Sequence, residues 1–103
     1  MLKGRVKIVP TLHGKNYKAH NHLRMCFLFG DDETGYRLTG SVKSQHPEYI
    51  QGNTYDVDVD FFTVTGEGYE QLKPLLKKGM RLVICEGRKI VGDANLIDYK
   101  YVG

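Results

Sequence analysis

The sequence predicts an all-β fold, a small six-stranded antiparallel barrel with one short helical insertion. Three observations carry that expectation. Apolar and polar residues alternate with period two in several short runs, most clearly within Thr54–Val64. Turn-forming residues punctuate the chain at Asp31–Gly35, Gln51–Asn53, Thr65–Gly68 and Gly87-Arg88. No long segment repeats with helical period. A barrel is favoured over an open sheet because closure removes exposed strand edges.

The elements run in order along the chain. Residues 3–9 alternate Lys3, Arg5 and Lys7 with Gly4, Val6 and Ile8, a half-buried strand that ends at Pro10. His22–Gly30 is a second strand with Leu23, Met25, Phe27 and Phe29 on one face. Tyr36–Lys43 is a third, in which Gly40 marks a bulge or a close backbone approach. Thr54–Val64 is the fourth, with Tyr55, Val57, Val59 and Phe61 on one side and Asp56, Asp58 and Asp60 on the other. Tyr69–Lys78 reads as a short helix or turn limited by Pro74. Met80–Glu86 and Lys89–Tyr101 form the closing strands.

With 103 residues the chain is one domain, spanning 1–103. Folding at this size buries roughly 65% of the unfolded surface, enough for a core. The 41% hydrophobic and 26% charged content is that of a globular chain. No stretch approaches the ~20 apolar residues of a membrane span, and the first residues carry no secretory signal pattern. Two cysteines are too few for a disulfide framework and fit a reducing, cytoplasmic setting.

The net charge of +3 is unevenly distributed. Residues 1–30 carry +6, residues 31–72 carry −7 and residues 73–103 carry +4. Packed side by side, the chain ends would create one basic and one acidic face, the former attractive to a polyanion. Solvated strand faces explain the same charges without a ligand.

Catalytic and cofactor motifs are not found. No Gly-rich loop ends in Gly-Lys-Ser/Thr, so nucleotide hydrolysis by that mechanism is not expected. Gly66-Glu67-Gly68 lacks the strand-to-helix setting of a dinucleotide site. Asp56, Asp58 and Asp60 lack the Gly turn and terminal Glu of a calcium loop, so they read as a solvated face. His13, His20 and His22 lack zinc-ligand spacing. Cys26 and Cys85 lie among apolar strand residues, and each reads as an inert buried thiol. The expectation is a non-enzyme with no cofactor and no metal.

Met80–Gly92, with its Glu86-Gly87-x-x-x-Val91-Gly92 hairpin, resembles the closing hairpin of the third, C-terminal barrel domain of elongation factor Tu. Leu38-Thr39-Gly40-Ser41-Val42 is similar to a strand of that domain, and Ile50–Asn53 sits where one of its turns would be. Gly14-Lys15, Asn21, Arg24, Phe27 and Phe29 resemble its basic loop and first long strand, so the similarity runs from about residue 4 to 101. The resemblance implies a six-stranded antiparallel barrel with both chain ends in neighbouring strands. It also implies an RNA-facing surface at Lys15, Asn16, Tyr17, Arg24 and the loop near Gly92-Asp93, and Lys18, Arg88 and Lys89 join these residues as RNA-binding candidates. Contacts of that kind read phosphates, sugars and shape in structured RNA such as tRNA.

Two functional expectations emerge. The favoured one is a protein-interaction module, in an adaptor, decoy or immunity-type role toward an unidentified protein partner. Its candidate residues are Tyr69, Leu72, Leu75 and Leu76 in the 65–78 insertion, although the same side chains would also serve as a plug for one barrel end. The alternative is RNA binding through the basic face, which Asp93 dilutes near the hairpin.

Overall fold

The computed structural model describes residues 1–10, 17–18, 24–30, 35–43, 48–50, 52–86 and 89–102, with backbone only at 17, 18, 86 and 89. The strands are β1 (Leu2–Pro10), β2 (Tyr17–Lys18), β3 (Arg24–Phe29), β4 (Tyr36–Lys43), β5 (Glu48–Tyr49), β6 (Tyr55–Phe61), β7 (Arg81–Glu86) and β8 (Lys89–Tyr101). A helix, α1 (Glu67–Leu72), continues into a 3₁₀ turn at Lys73–Leu75.

Six strands close an antiparallel barrel in the order β1-β6-β4-β3-β7-β8, and β2 pairs with β5 as a separate two-stranded ladder. β3, β4 and β6 form a meander that folds back beside β1, a Greek key, and the β7–β8 hairpin closes the gap. The chain ends are therefore adjacent, because β1 pairs with β8 along its full length. This is the expected fold class.

Alternation decides the interior. Leu2, Val6 and Ile8 of β1, Met25, Phe27 and Phe29 of β3, Val57, Val59 and Phe61 of β6, and Leu82 and Ile84 of β7 are all buried. Phe61 meets Phe27 and Phe29 edge-to-face at 5.7 and 5.4 Å, an arrangement that adds to area burial. Its ring fits because both flanking strands present glycine. A Cβ on Gly4 would stand 3.1 Å from Phe61 Cε2, and one on Gly40 would stand 3.2 Å from Phe61 Cε1. Gly40 is thus a close approach and not a bulge, since β4 keeps its register with β3 through it.

β8 departs from simple alternation twice. Its register slips at Val91 against β7 and at Ile97 against β1. Each slip inserts one extra residue and re-aims the side chains beyond it. Ala94 and Leu96 point inward before the second slip, and beyond it Tyr99 and Tyr101 pack against the core.

The insertion seals one end. Leu72 and Leu76 are 2% and 6% exposed, and Tyr69 and Leu75 pack beside them. Tyr69 stacks on Tyr101 at 4.1 Å, and the Tyr101 hydroxyl accepts a hydrogen bond from the Gly66 N–H at 2.8 Å. Gly66 starts the helix with φ of 52° and no side-chain cap, so this hydroxyl holds the helix start to the barrel. Among the described residues, no helix is long and apolar enough to cross a membrane.

Candidate functional site

The outer face of β4, β6, β1 and β8 carries rows of charge set by strand register. Ser41, Asp60, Lys3 and Lys100 lie side by side in one row. Lys43, Asp58, Arg5 and Asp98 form the next, and Asp56, Lys7 and Asn95 the third. Opposite charges directly across an antiparallel pair are mutually stabilising, and the two period-two runs, basic on β1 and acidic on β6, meet in that way. Arg5 donates to Asp58 at 3.0 Å. Lys43 reaches diagonally to Asp60 at 3.2 Å, a carboxylate only 17% exposed.

At the β8 edge, Lys78 pairs with Asp98 at 3.2 Å. The Tyr99 backbone N–H donates to the same carboxylate at 2.8 Å. That hydrogen bond, with the Lys78 ammonium second, holds the Asp98 carboxyl below the ordinary aspartate range. Between the rows lies an open groove of about 410 Å³, lined by Lys3, Arg5, Lys43, Asp58, Asp60 and Lys100 among others.

The charge distribution therefore differs from a basic face opposed to an acidic one. The chain ends do pack together, but β1 has the acidic strand β6 on one side and β8, with Asp98 beside Lys100, on the other. The result on this side is a mixed pattern of both signs, alternating along the row of Lys43, Asp58, Arg5 and Asp98 and placing Lys3 beside Lys100 in the next. The Asp56, Asp58 and Asp60 face is outward as expected, yet it is matched by the bases of β1 and Lys43 and not merely hydrated.

The β3–β7 side has different chemistry. Leu28, Val83, Cys26 and Cys85 alternate with the inward residues of their strands and so face outward. Burial and the neighbouring Cys85 push the Cys26 thiol up, and the Arg37 charge opposes this. Arg24 at the start of β3 is exposed, and its guanidinium lies 5.1 Å from the centre of the exposed Phe62 ring.

The candidate residues read from the sequence are spread over several parts of the barrel. Arg24 is the RNA candidate whose side chain is described, and it lies next to Phe62. Tyr17 and Lys18 form β2, against Tyr49 and Glu48, and Lys89 opens β8 opposite Glu86. Lys15, Asn16 and Arg88 lie outside the described residues, as do His13, His20 and His22. The protein-interaction candidates are not an exposed surface. Leu72 and Leu76 are core residues, and Tyr69 and Leu75 are packed against that core, so the insertion serves as the plug. Asp93, read as a charge that would repel phosphate, is paired with Arg81 at 2.6 Å. Among the described residues, no group of three or more His, Cys, Asp or Glu could hold a metal ion.

The groove residues Lys3, Arg5, Lys43, Asp58, Asp60 and Lys100 do not stand out in the sequence as a site. Their signal is the matching period of Lys3-Arg5-Lys7 and Asp56-Asp58-Asp60, which is also a strand-pairing signal.

The chain matches no protein-family model and no curated protein sequence.

Proposed function

We propose that this chain is a non-catalytic binding module whose ligand is another protein, docked on the outer face of β4, β6, β1 and β8. The observation that carries this reading is the mixture of both signs around the groove, with Lys3, Arg5, Lys43 and Lys100 set among Asp58, Asp60 and Asp98. A polyanion would meet carboxylates in each of these two rows, whereas a protein surface carries both signs and can match such a pattern. Mixed charge of this kind contributes register and partner discrimination more than raw affinity. The resemblance of Leu38–Val42 and Met80–Gly92 to the C-terminal barrel of elongation factor Tu supports an adaptor, decoy or immunity-type role in the cytoplasm.

The test is differential capture. Immobilised wild-type chain is compared with a Lys43→Glu, Lys100→Glu variant whose fold is verified by circular dichroism. Expected is a partner held by the wild type and lost by the variant. Equal capture by both would remove the reading.

RNA binding is the second reading, favoured by the exposed Arg24–Phe62 pair, since arginine and aromatic planes are the surfaces on which unpaired bases stack. Fluorescence titration against bulk tRNA at two salt concentrations tests it. Micromolar binding that falls steeply with salt and is lost in Arg24→Glu would put RNA in place of protein as the ligand.

A further inference from the structure

The two cysteines are far apart in sequence and adjacent in the barrel. β3 and β7 pair antiparallel with Cys26 directly opposite Cys85. Their chain neighbours Met25, Phe27 and Ile84 point into the core, so both thiols lie on the outer side of one ladder. Thr39 of β4 and Ile90 of β8 complete the row on either flank. Cys85 is 7% exposed, Cys26 is half-buried, and both are free.

Directly opposed residues in an antiparallel ladder have Cα atoms about 4.5 or 5.5 Å apart, depending on the type of pair. Disulfides span Cα separations of about 4.4–6.8 Å, and either type of pair falls inside that range. Diagonal neighbours, about 7–8 Å apart, fall outside it. The register of β3 on β7 is therefore what makes this pair bridgeable.

We propose that Cys26 and Cys85 form a reversible disulfide across the β3–β7 seam, with a low-molecular-weight disulfide of the glutathione class as oxidant. The Cys26 thiolate attacks one sulfur of the small disulfide, giving a mixed disulfide and expelling one small thiolate. The Cys85 thiolate then attacks the Cys26 sulfur, closes the protein disulfide and expels the second. Two protein thiols are oxidised, one small disulfide is reduced to two small thiols, and the two protons pass to the expelled thiolates.

Strain makes the bond labile. Opposed Cβ atoms rest about 4.5–5.5 Å apart, whereas a disulfide holds them about 3.5–4.5 Å apart. Closing the bond must therefore draw together two strands already fixed in a closed barrel, and strained disulfides are the more readily reduced ones. The seam is also where the Greek key of β1, β3, β4 and β6 meets the β7–β8 hairpin, so the bond joins the two parts of the barrel covalently.

The full-length chain is equilibrated in glutathione buffers from fully reduced to fully oxidised, then alkylated and weighed intact. The expected result is a monomer that takes up two alkyl groups at the reducing end and none at the oxidising end, with two hydrogens lost and no glutathione retained. Reduction should restore both alkylation sites. A variant, Cys26→Ser with Leu28→Cys, keeps two thiols on the same face but moves one out of register. It should form no intramolecular bond in the same buffers. Two alkyl groups on the wild type at the oxidising end would overturn the proposal. So would a bond between two chains, or equal bond formation in the shifted variant.

Discussion

Gly40 on β4 faces Val59 on β6 with no room for a methyl group, since a Cβ there would collide with Val59 Cγ1. The same Cβ would also crowd Phe61, whose ring is enclosed by Phe27 and Phe29. Both neighbours are fully buried. Gly40→Ala should destabilise the barrel by at least the roughly 1–3 kcal/mol typical of an overpacked core, read as a lower urea midpoint. Thr39→Ala, one residue along on the exposed face, should stay within about 0.5 kcal/mol of wild type. Equal midpoints for the two variants would mean that the Gly40 contact is not real.

The fold is legible in the sequence wherever its signal is local. The inward set of β3 and β6 repeats strictly every two residues, so Met25, Phe27, Phe29, Val57, Val59 and Phe61 are readable as one face. β8 is readable as a strand but not in its phase, because the extra residues at Val91 and Ile97 are set by its partners β7 and β1. The helix begins at Glu67, ahead of the expected Tyr69, with a start held by the Tyr101 hydroxyl at the other end of the sequence. The short β2–β5 pairing leaves no periodic trace in two residues per strand. The groove is hidden for a related reason. Charge on Lys3 or Asp60 reads as solvated until the register places the two side by side.

The insertion gives a second prediction. Leu72 is 2% exposed at the sealed end of the barrel, so Leu72→Ala should cost about 2–5 kcal/mol, the range for a truncated core leucine. Glu70 and Gln71 on the same helix are exposed. A Glu70→Ala, Gln71→Ala variant should retain wild-type stability within about 1 kcal/mol and bind any captured partner unchanged. Loss of the partner in that variant would return the docking surface to the insertion.

The Arg5–Asp58 pair gives a third. Both side chains are about half exposed, at 47% and 55%, so water screens much of their attraction. A double-mutant cycle using Arg5→Ala and Asp58→Ala should return a coupling of about 0.2–1 kcal/mol, which shrinks at high salt as screening increases. A coupling well above that range, insensitive to salt, would mean that the outer face is a structural ion network and not a surface free to exchange its partners.

Asp98 contributes to the acid side of the stability profile. Its carboxylate accepts the Tyr99 N–H and pairs with Lys78, and both hold its acidity stronger than that of an ordinary aspartate. A carboxyl with a depressed folded-state pKa stabilises the fold above its unfolded value, near 3.9. That contribution fades as the pH falls from there through the lower folded value, where the native state also takes up the proton. Asp98→Asn removes the titration. The urea midpoint of wild type should therefore exceed that of the variant at neutral pH, and the difference should close only as the pH drops below about 4. Lys78→Gln should narrow the gap without abolishing it, because the backbone hydrogen bond from Tyr99 is the larger cause and remains in place. A gap that stays constant into strong acid would show that the variant's loss comes from packing and not from the charge.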